Sequence, residues 1–242
     1  MATPDTITRT PQAPEHFVFP DPPEDRPEDR DDKMTNHRHM SITGTAHALV
    51  VQLGNPETTV VRGEAYLSPE PAPRTMAGLL YPDLLVAFDA DPEAFDRRNA
   101  YVISEQGKPP DFVLEVVSPS SGRRDRVDKP LDYALLGVGE YWWFDGEGRS
   151  APNRLAGHRL AGDSYELLPV RARPDGSLQG HSAVLGLHLR WTGGELVFCD
   201  PATGESIATL EAERSRAEAA EARAAAAEAR VRELERRLSG SS

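Results

Sequence analysis

The chain has 242 residues, 38% of them hydrophobic and 27% charged, which is enough for one medium-sized core with polar ends but not for two generous domains. No stretch reaches the ~18 uncharged apolar residues of a membrane span, and no basic start followed by an apolar run marks a signal peptide, so a soluble, cytoplasmic protein is expected. A formal net charge of -12 weighs against tight, non-specific binding to unmelted DNA, and the ends do not account for it, because residues 41–204 still carry -7.

Residues 1–34 are rich in Pro, Asp and Glu, as in Pro20-Asp21-Pro22-Pro23-Glu24-Asp25, with too few apolar groups to offset the entropy of ordering; an acidic disordered tail is predicted. A single globular domain is expected over 35–204. It begins with a helix from Thr35 to Leu53, where Met40, Ile42, Ala46, Leu49, Val50 and Leu53 roughly follow helical spacing until Gly54-Asn55-Pro56 ends it. Three runs of β-branched and apolar residues then read as strands: Thr58–Leu67, Asp83–Asp89 and Asp111–Val117. A helix is predicted between Arg126 and Leu136, with Gly137 as its stop, followed at once by a strand over Glu140–Asp145. The aromatic group Tyr141, Trp142 and Trp143 on that strand reads as core. Gly-punctuated segments at Leu155–Leu160, Ser164–Val170, Val184–Arg190 and Glu195–Cys199 suggest hairpins packed onto the core.

Cys199 cannot form an internal disulfide and has no Cys or His at zinc-ligand spacing, so it reads as a packing residue. The last segment, 205–242, is built almost wholly from Ala, Glu, Arg and Leu. Leu210, Ala217, Ala224, Val231 and Leu238 recur at seven-residue steps, which predicts a long helix. Homo-oligomerisation through it as a coiled coil is left open, since alanines bury little area along such a seam and Glu213 interrupts it.

The chemistry is suggested by acids in apolar surroundings. Strand alternation in Phe112–Val117 puts Glu115 on one face with Val113 and Val117, where an unpaired carboxylate would cost several kcal/mol; a cation, a metal or a strong donor should sit beside it. The bland alternative is an edge strand with Glu115 facing water. Asp83 opens the apolar run Leu84-Leu85-Val86-Ala87-Phe88 after Pro82, where ordinary turn chemistry is the competing reading. Lys129 stands at the front of the predicted helix, with Tyr133 one turn on along the same face, so both side chains can look back at the strand ends; a solvated lysine is the alternative.

Together these residues resemble the restriction-endonuclease family of the PD-(D/E)xK nuclease superfamily that occurs in many copies in some bacterial genomes. The resemblance runs through Pro82-Asp83, Asp111-Phe112-Val113-Leu114-Glu115-Val116-Val117-Ser118-Pro119-Ser120, Asp125, Lys129, Tyr133, Gly137-Val138, Glu140-Tyr141-Trp142 and Asp145. It implies an α/β fold of the α+β-like kind: a central mixed sheet flanked by helices, with two strands bringing acids to one edge. It further implies a catalytic set of Asp83, Glu115 and Lys129, and a Mg²⁺ ion, with Mn²⁺ as a substitute, held by Asp83, Glu115 and the main-chain carbonyl of Val116. Such an ion would polarise a DNA phosphodiester and activate water. The superfamily's usual pattern has lysine two residues after the acid, where this chain has Val117, and the helical Lys129 looks like its migrated replacement. Secondary candidates are Glu64, Asp125 as a helix cap or a guide for Lys129, Tyr133 and, more weakly, His47. A basic groove made by Lys108, Arg123, Arg124 and Arg126 would favour nucleic acid as the partner. The competing expectation is a non-catalytic nuclease-fold module that binds or regulates partners through its helical tail.

Overall fold

The computed structural model describes residues 17–21, 45–117, 127–146, 153–207 and Arg223. The central sheet has six strands, β1 (Val60–Gly63), β3 (Leu84–Ala87), β5 (Phe112–Val116), β6 (Glu140–Phe144), β7 (Leu155–Ala161) and β8 (Ser164–Leu168), in that spatial order. It is mixed: β5 and β6 run parallel and every other neighbouring pair antiparallel. All five residues of β5 and of β6 are buried, which is why both segments read as nearly continuous apolar runs.

Side-chain alternation divides the interior into two cores on opposite faces of this sheet. On one face Leu84, Val86, Phe112, Leu114, Trp142 and Phe144 meet helix α1 (Thr45–Leu53) and a second, four-stranded antiparallel sheet. That sheet has the order β12 (Glu195–Cys199), β11 (Leu187–Thr192), β10 (Leu178–Ser182), β9 (Val170–Ala172). On the other face Leu85, Val113, Val117, Tyr141 and Trp143 pack with Tyr133 of helix α4 (Lys129–Leu135). A two-stranded parallel pair, β2 (Tyr66–Ser68) with β4 (Ala100–Val102), and the short helices α2 (Pro92–Arg98) and α3 (Ile103–Gln106) complete the described architecture.

The seam between the sheets centres on Trp142, which is fully buried. Its indole lies so close to Gly157 of β7 and Gly180 of β10 that a Cβ at either position would come within 2.5 or 2.6 Å of ring carbons. The indole Nε1 donates to Glu140 Oε2 at 2.9 Å, and Glu140 Oε1 accepts from the backbone N–H of Ala183 at 3.0 Å and of Val184 at 3.3 Å. A buried acid of β6 thereby ties the turn between β10 and β11 to the central sheet through backbone donors.

Several expectations need adjustment. The single strand expected over Thr58–Leu67 is two, because Glu64 takes a left-handed φ of 49° and turns the chain between β1 and β2. Strands β4 and β10 and helices α2 and α3 were not anticipated from the pattern: β4 has three residues and β10 contains Gly180, so neither gives a strong alternation signal. The first helix is described from Thr45, and the rest of its expected span, residues 35–44, lies outside the described residues.

Within the expected tail, residues 17–21 are held against α2 and β4. Phe19 is buried, its N–H donates to Arg98 O at 2.8 Å, and Asn99 Nδ2 donates to Phe19 O at 3.3 Å. The two aromatic residues Phe17 and Phe19 supply the contact area that the flanking acidic stretches lack, while Val18 between them stays exposed. At the other end, residues 205–207 are not the start of a helix: Gly204, at φ 73°, reverses the chain, Ser206 bridges Cys199, and Ile207 N–H donates to Phe198 O at 2.8 Å. The long helix expected beyond them falls outside the described residues except for Arg223, which is helical. Among the described residues no helix is long and apolar enough to cross a membrane.

Candidate active site

Strand alternation puts Asp83, directly before β3, on the same face as Leu85, and Glu115 on the same face as Val113. Since β3 and β5 are neighbours, both acids meet α4 on one side of the sheet. Asp83 is 5% and Glu115 2% exposed, so the edge-strand reading of Glu115 is excluded. Each has strong donors. Asp83 Oδ2 accepts from the backbone N–H of Val116 at 2.6 Å, which ties the start of β3 to the end of β5.

Glu115 is held from above by a single helix. Lys129 Nζ lies 2.7 Å from Oε2, and Tyr133 donates its hydroxyl to Oε1 at 2.6 Å. The two residues are one helical turn apart and project onto the same face, as the sequence spacing required. The lysine side chain keeps 16% of its surface exposed, whereas Tyr133 is wholly buried and stacks on Tyr141 with ring centroids 5.2 Å apart. Lys129 therefore reaches the acid from a different element than the strand that carries it.

Burial, and secondarily the negative charge of Asp83, pushes the Glu115 carboxyl up to about 8, against the lowering effects of Lys129 and Tyr133. Burial and the Glu115 charge also raise the Tyr133 hydroxyl well above its usual range, so it remains a donor. Two carboxylates close enough for one to raise the other's proton affinity suit a hard divalent cation, which would relieve their repulsion. Among the described residues no group of three or more His, Cys, Asp or Glu gathers as a metal cage. Two acids fit an ion that keeps several waters, as magnesium does, and fit zinc poorly.

The remaining candidates divide. Glu64 is brought to the site, since its N–H donates to Asp83 O at 3.3 Å and it shares the neighbourhood of Tyr81 with Asp83. Tyr81, missed in the sequence, is the residue before Pro82-Asp83; its hydroxyl is buried and has no hydrogen-bond partner among the described residues, and burial followed by Glu64 raises its pKa. The signal that could have found it is adjacency to Asp83, but a tyrosine in an apolar context reads as core. His47 is exposed on α1, on the opposite side of the sheet from Glu115. Lys108 joins no described basic groove: its ammonium is 2.6 Å from Asp111 Oδ2 and donates to Phe88 O at 2.8 Å. Asp125 and Arg123, Arg124 and Arg126 lie outside the described residues. The expected core group Tyr141, Trp142 and Trp143 and the packing residue Cys199 are all buried.

The profile of one protein family, described as "Uma2: Putative restriction endonuclease", matches residues 13–192, which spans the N-terminal strap, the whole central sheet, α4 and most of the second sheet. The chain belongs to the Uma2 family. No curated protein matches it. Among solved structures this Uma2 chain is similar to one described as a "putative nuclease belonging to DUF820" from Anabaena variabilis, with 13% identity, a TM-score of 0.36, and coverage of 57% of this chain and 72% of that one. The Uma2 match takes in Asp83, Glu115 and Lys129 and also the buried Glu140, whose contacts are with Trp142 and the β10–β11 turn.

Proposed function

We propose that this Uma2 chain is a divalent-metal-dependent endonuclease that hydrolyses DNA phosphodiester bonds with a metal-activated water. The observation that carries the reading is the convergence of an ammonium and a phenol from α4 on a buried carboxylate of β5, beside a second carboxylate at the start of β3. In this reading Asp83, Glu115 and the main-chain carbonyl of Val116 hold a Mg²⁺ or Mn²⁺ ion. When bound, that ion supplies Lewis acidity for the phosphodiester and a nucleophilic water at neutral pH.

Each residue of the chain then has a separate task. Val116 N–H fixes the rotamer of Asp83. Tyr133 fixes Glu115 from the side of Oε1, so the carboxylate is preorganised without having to be desolvated during the reaction. Lys129 carries the part-exposed positive charge at the edge of the site and offsets charge developing on the phosphate or orients the attacking water. Tyr81, with an unpartnered hydroxyl near Asp83 and Glu64, supplies a donor at the other side.

Cleavage of plasmid and short single-stranded DNA with Mg²⁺ or Mn²⁺, in the intact protein and in Asp83→Ala, Glu115→Ala and Lys129→Ala, tests this directly. Metal-dependent cutting lost in all three variants is the expected outcome. Cutting that survives loss of either acid, or no cutting and no metal binding by calorimetry, sinks it in favour of the second reading: a non-catalytic nuclease-fold module. The formal charge of -12 is the observation on that reading's side.

A further inference from the structure

The second sheet buries Leu187, Leu189, Trp191, Leu196 and Phe198 against the central sheet, so alternate residues face outward. Across β9, β10 and β11 the register aligns Arg171, Gln179 and Arg190 in one row on that outer face, with His181 opposite His188 in the next. Gln179 Oε1 accepts from Arg173 Nη1 at 2.7 Å and from Arg190 Nε at 3.0 Å. Two guanidinium groups thus converge on one neutral oxygen, and Arg190 Nη2 donates further to Gly204 O at 3.3 Å.

The cluster is also under-satisfied. Of the three buried side-chain N or O atoms without a hydrogen-bond partner among the described residues, two belong to it: Arg173 Nε and His188 Nδ1. Burial, then the neighbouring His181 and, more weakly, Arg190 and Arg173, hold the His188 imidazole below its usual range, so the cationic side chains sense one another. Of the three arginines, Arg173 is paired at long range with an acid. Asp175 Oδ2 stays 3.9 Å from Arg173 Nε while its Oδ1 accepts from Ser177, and Glu195 lies exposed at the β11–β12 turn.

Trp191, the residue after Arg190, donates its Nε1 to Asp145 O at 3.1 Å, and Gly194 comes against Gly146, where a Cβ would lie 2.8 Å from the carbonyl oxygen. Asp145 follows Phe144, which is in register with Val116. This end of the second sheet therefore lies at the strand end of the central sheet that carries Glu115, packed on the face opposite that residue.

We propose that the outer face of the second sheet docks a nucleic-acid backbone, with Arg171, Arg173 and Arg190 presented to its phosphates. Planar guanidinium groups match phosphate geometry, and an electropositive row on an otherwise acidic chain favours a polyanion over the rest of the surface. The proposal rests on the nuclease reading for the identity of the polyanion, but it does not require cleavage.

The test is fluorescence anisotropy of a short labelled duplex with the full chain in EDTA, over about 50–200 mM salt, where each neutralised phosphate contributes about 0.9 to the slope of log K against log salt. The double variant Arg171→Ser/Arg173→Ser is compared with Arg97→Ser/Arg159→Ser, which removes the same charge from exposed arginines elsewhere. The expected result is a slope smaller by about 2 in the first pair and unchanged in the second. Equal slopes in both pairs, or no salt-dependent binding by the unmodified protein, overturns the docking face. Binding that follows the expected pattern without any metal-dependent cleavage leaves the docking face standing and removes the nuclease reading.

Discussion

Glu115 should make the metal-free protein less stable as pH rises through neutrality, and the two neighbouring charges should move that dependence in opposite directions. Its carboxyl goes from an ordinary value of 4.5 to about 8 in the folded protein. Between those limits the folded state holds a proton that the unfolded chain releases, so stability is fully present below 4.5 and is lost as pH climbs through 8. At about 1.4 kcal/mol per pH unit the window amounts to about 5 kcal/mol, comparable to the whole stability of a marginal domain. Urea unfolding in EDTA, read as the difference between the wild type and Glu115→Gln, isolates this group from the other acids. Lys129→Met removes a charge that lowers the Glu115 pKa, so the loss should extend above pH 8 by about 1.4 kcal/mol for each further unit. Asp83→Asn removes a charge that raises it, and the window should close from the alkaline side. A flat difference curve, or two variants shifting the window in the same direction, refutes the reasoning.

Tyr133→Phe deletes the donor to Glu115 Oε1 without altering volume; metal affinity by calorimetry and kcat should both fall, the latter by about tenfold, while KM for DNA stays within twofold. Tyr81→Phe should raise stability by about 1 kcal/mol, because it removes a buried hydroxyl that lacks a partner, and yet lower the cleavage rate; a stability loss would show that the hydroxyl is structurally satisfied. Gly157→Ala should cost about 1–3 kcal/mol in thermal or urea unfolding, since a methyl group there meets the fully buried Trp142 ring. Glu140→Ala strands the indole N–H and two backbone N–H groups at once and should cost at least as much, with the Trp fluorescence spectrum changing in the folded state.

The central strands and α4 were legible because their patterns are locally complete: five buried residues in each of β5 and β6, and a helix running up to Gly137, which takes a positive φ of 81°. The candidate site was legible where chemistry contradicted local pattern, as with Glu115 between Leu114 and Val116. What escaped depended on partners distant in sequence. Phe17 and Phe19 lie in an acidic stretch with few apolar residues, and only the backbone carbonyl and guanidinium of Arg98 and the side-chain amide of Asn99, some eighty positions on, show why they are placed. Glu140 looked like a strand-start acid, and Trp142 with the β10–β11 turn reveals it as a clamp. Gly180 interrupted the pattern of β10 for the same reason it belongs there, because the Trp142 ring occupies the space a side chain would fill.

The placement of Lys129 on a helix rather than on the strand has a dynamic consequence. If Lys129 followed Glu115 on β5, the ladder of the central sheet would hold acid and ammonium together for as long as the protein stayed folded. Here both the ammonium and the phenol arrive on a seven-residue helix whose inward anchor is the single buried residue Tyr133, with Leu131 and Leu135 left largely exposed. Such a helix opens at a lower free energy than the strands beneath it. Amide exchange in α4 should therefore be faster than in β5, and each opening disarms the site while the sheet stays intact. Whatever grips α4 from outside would thereby act as a rheostat on the site without touching a substrate.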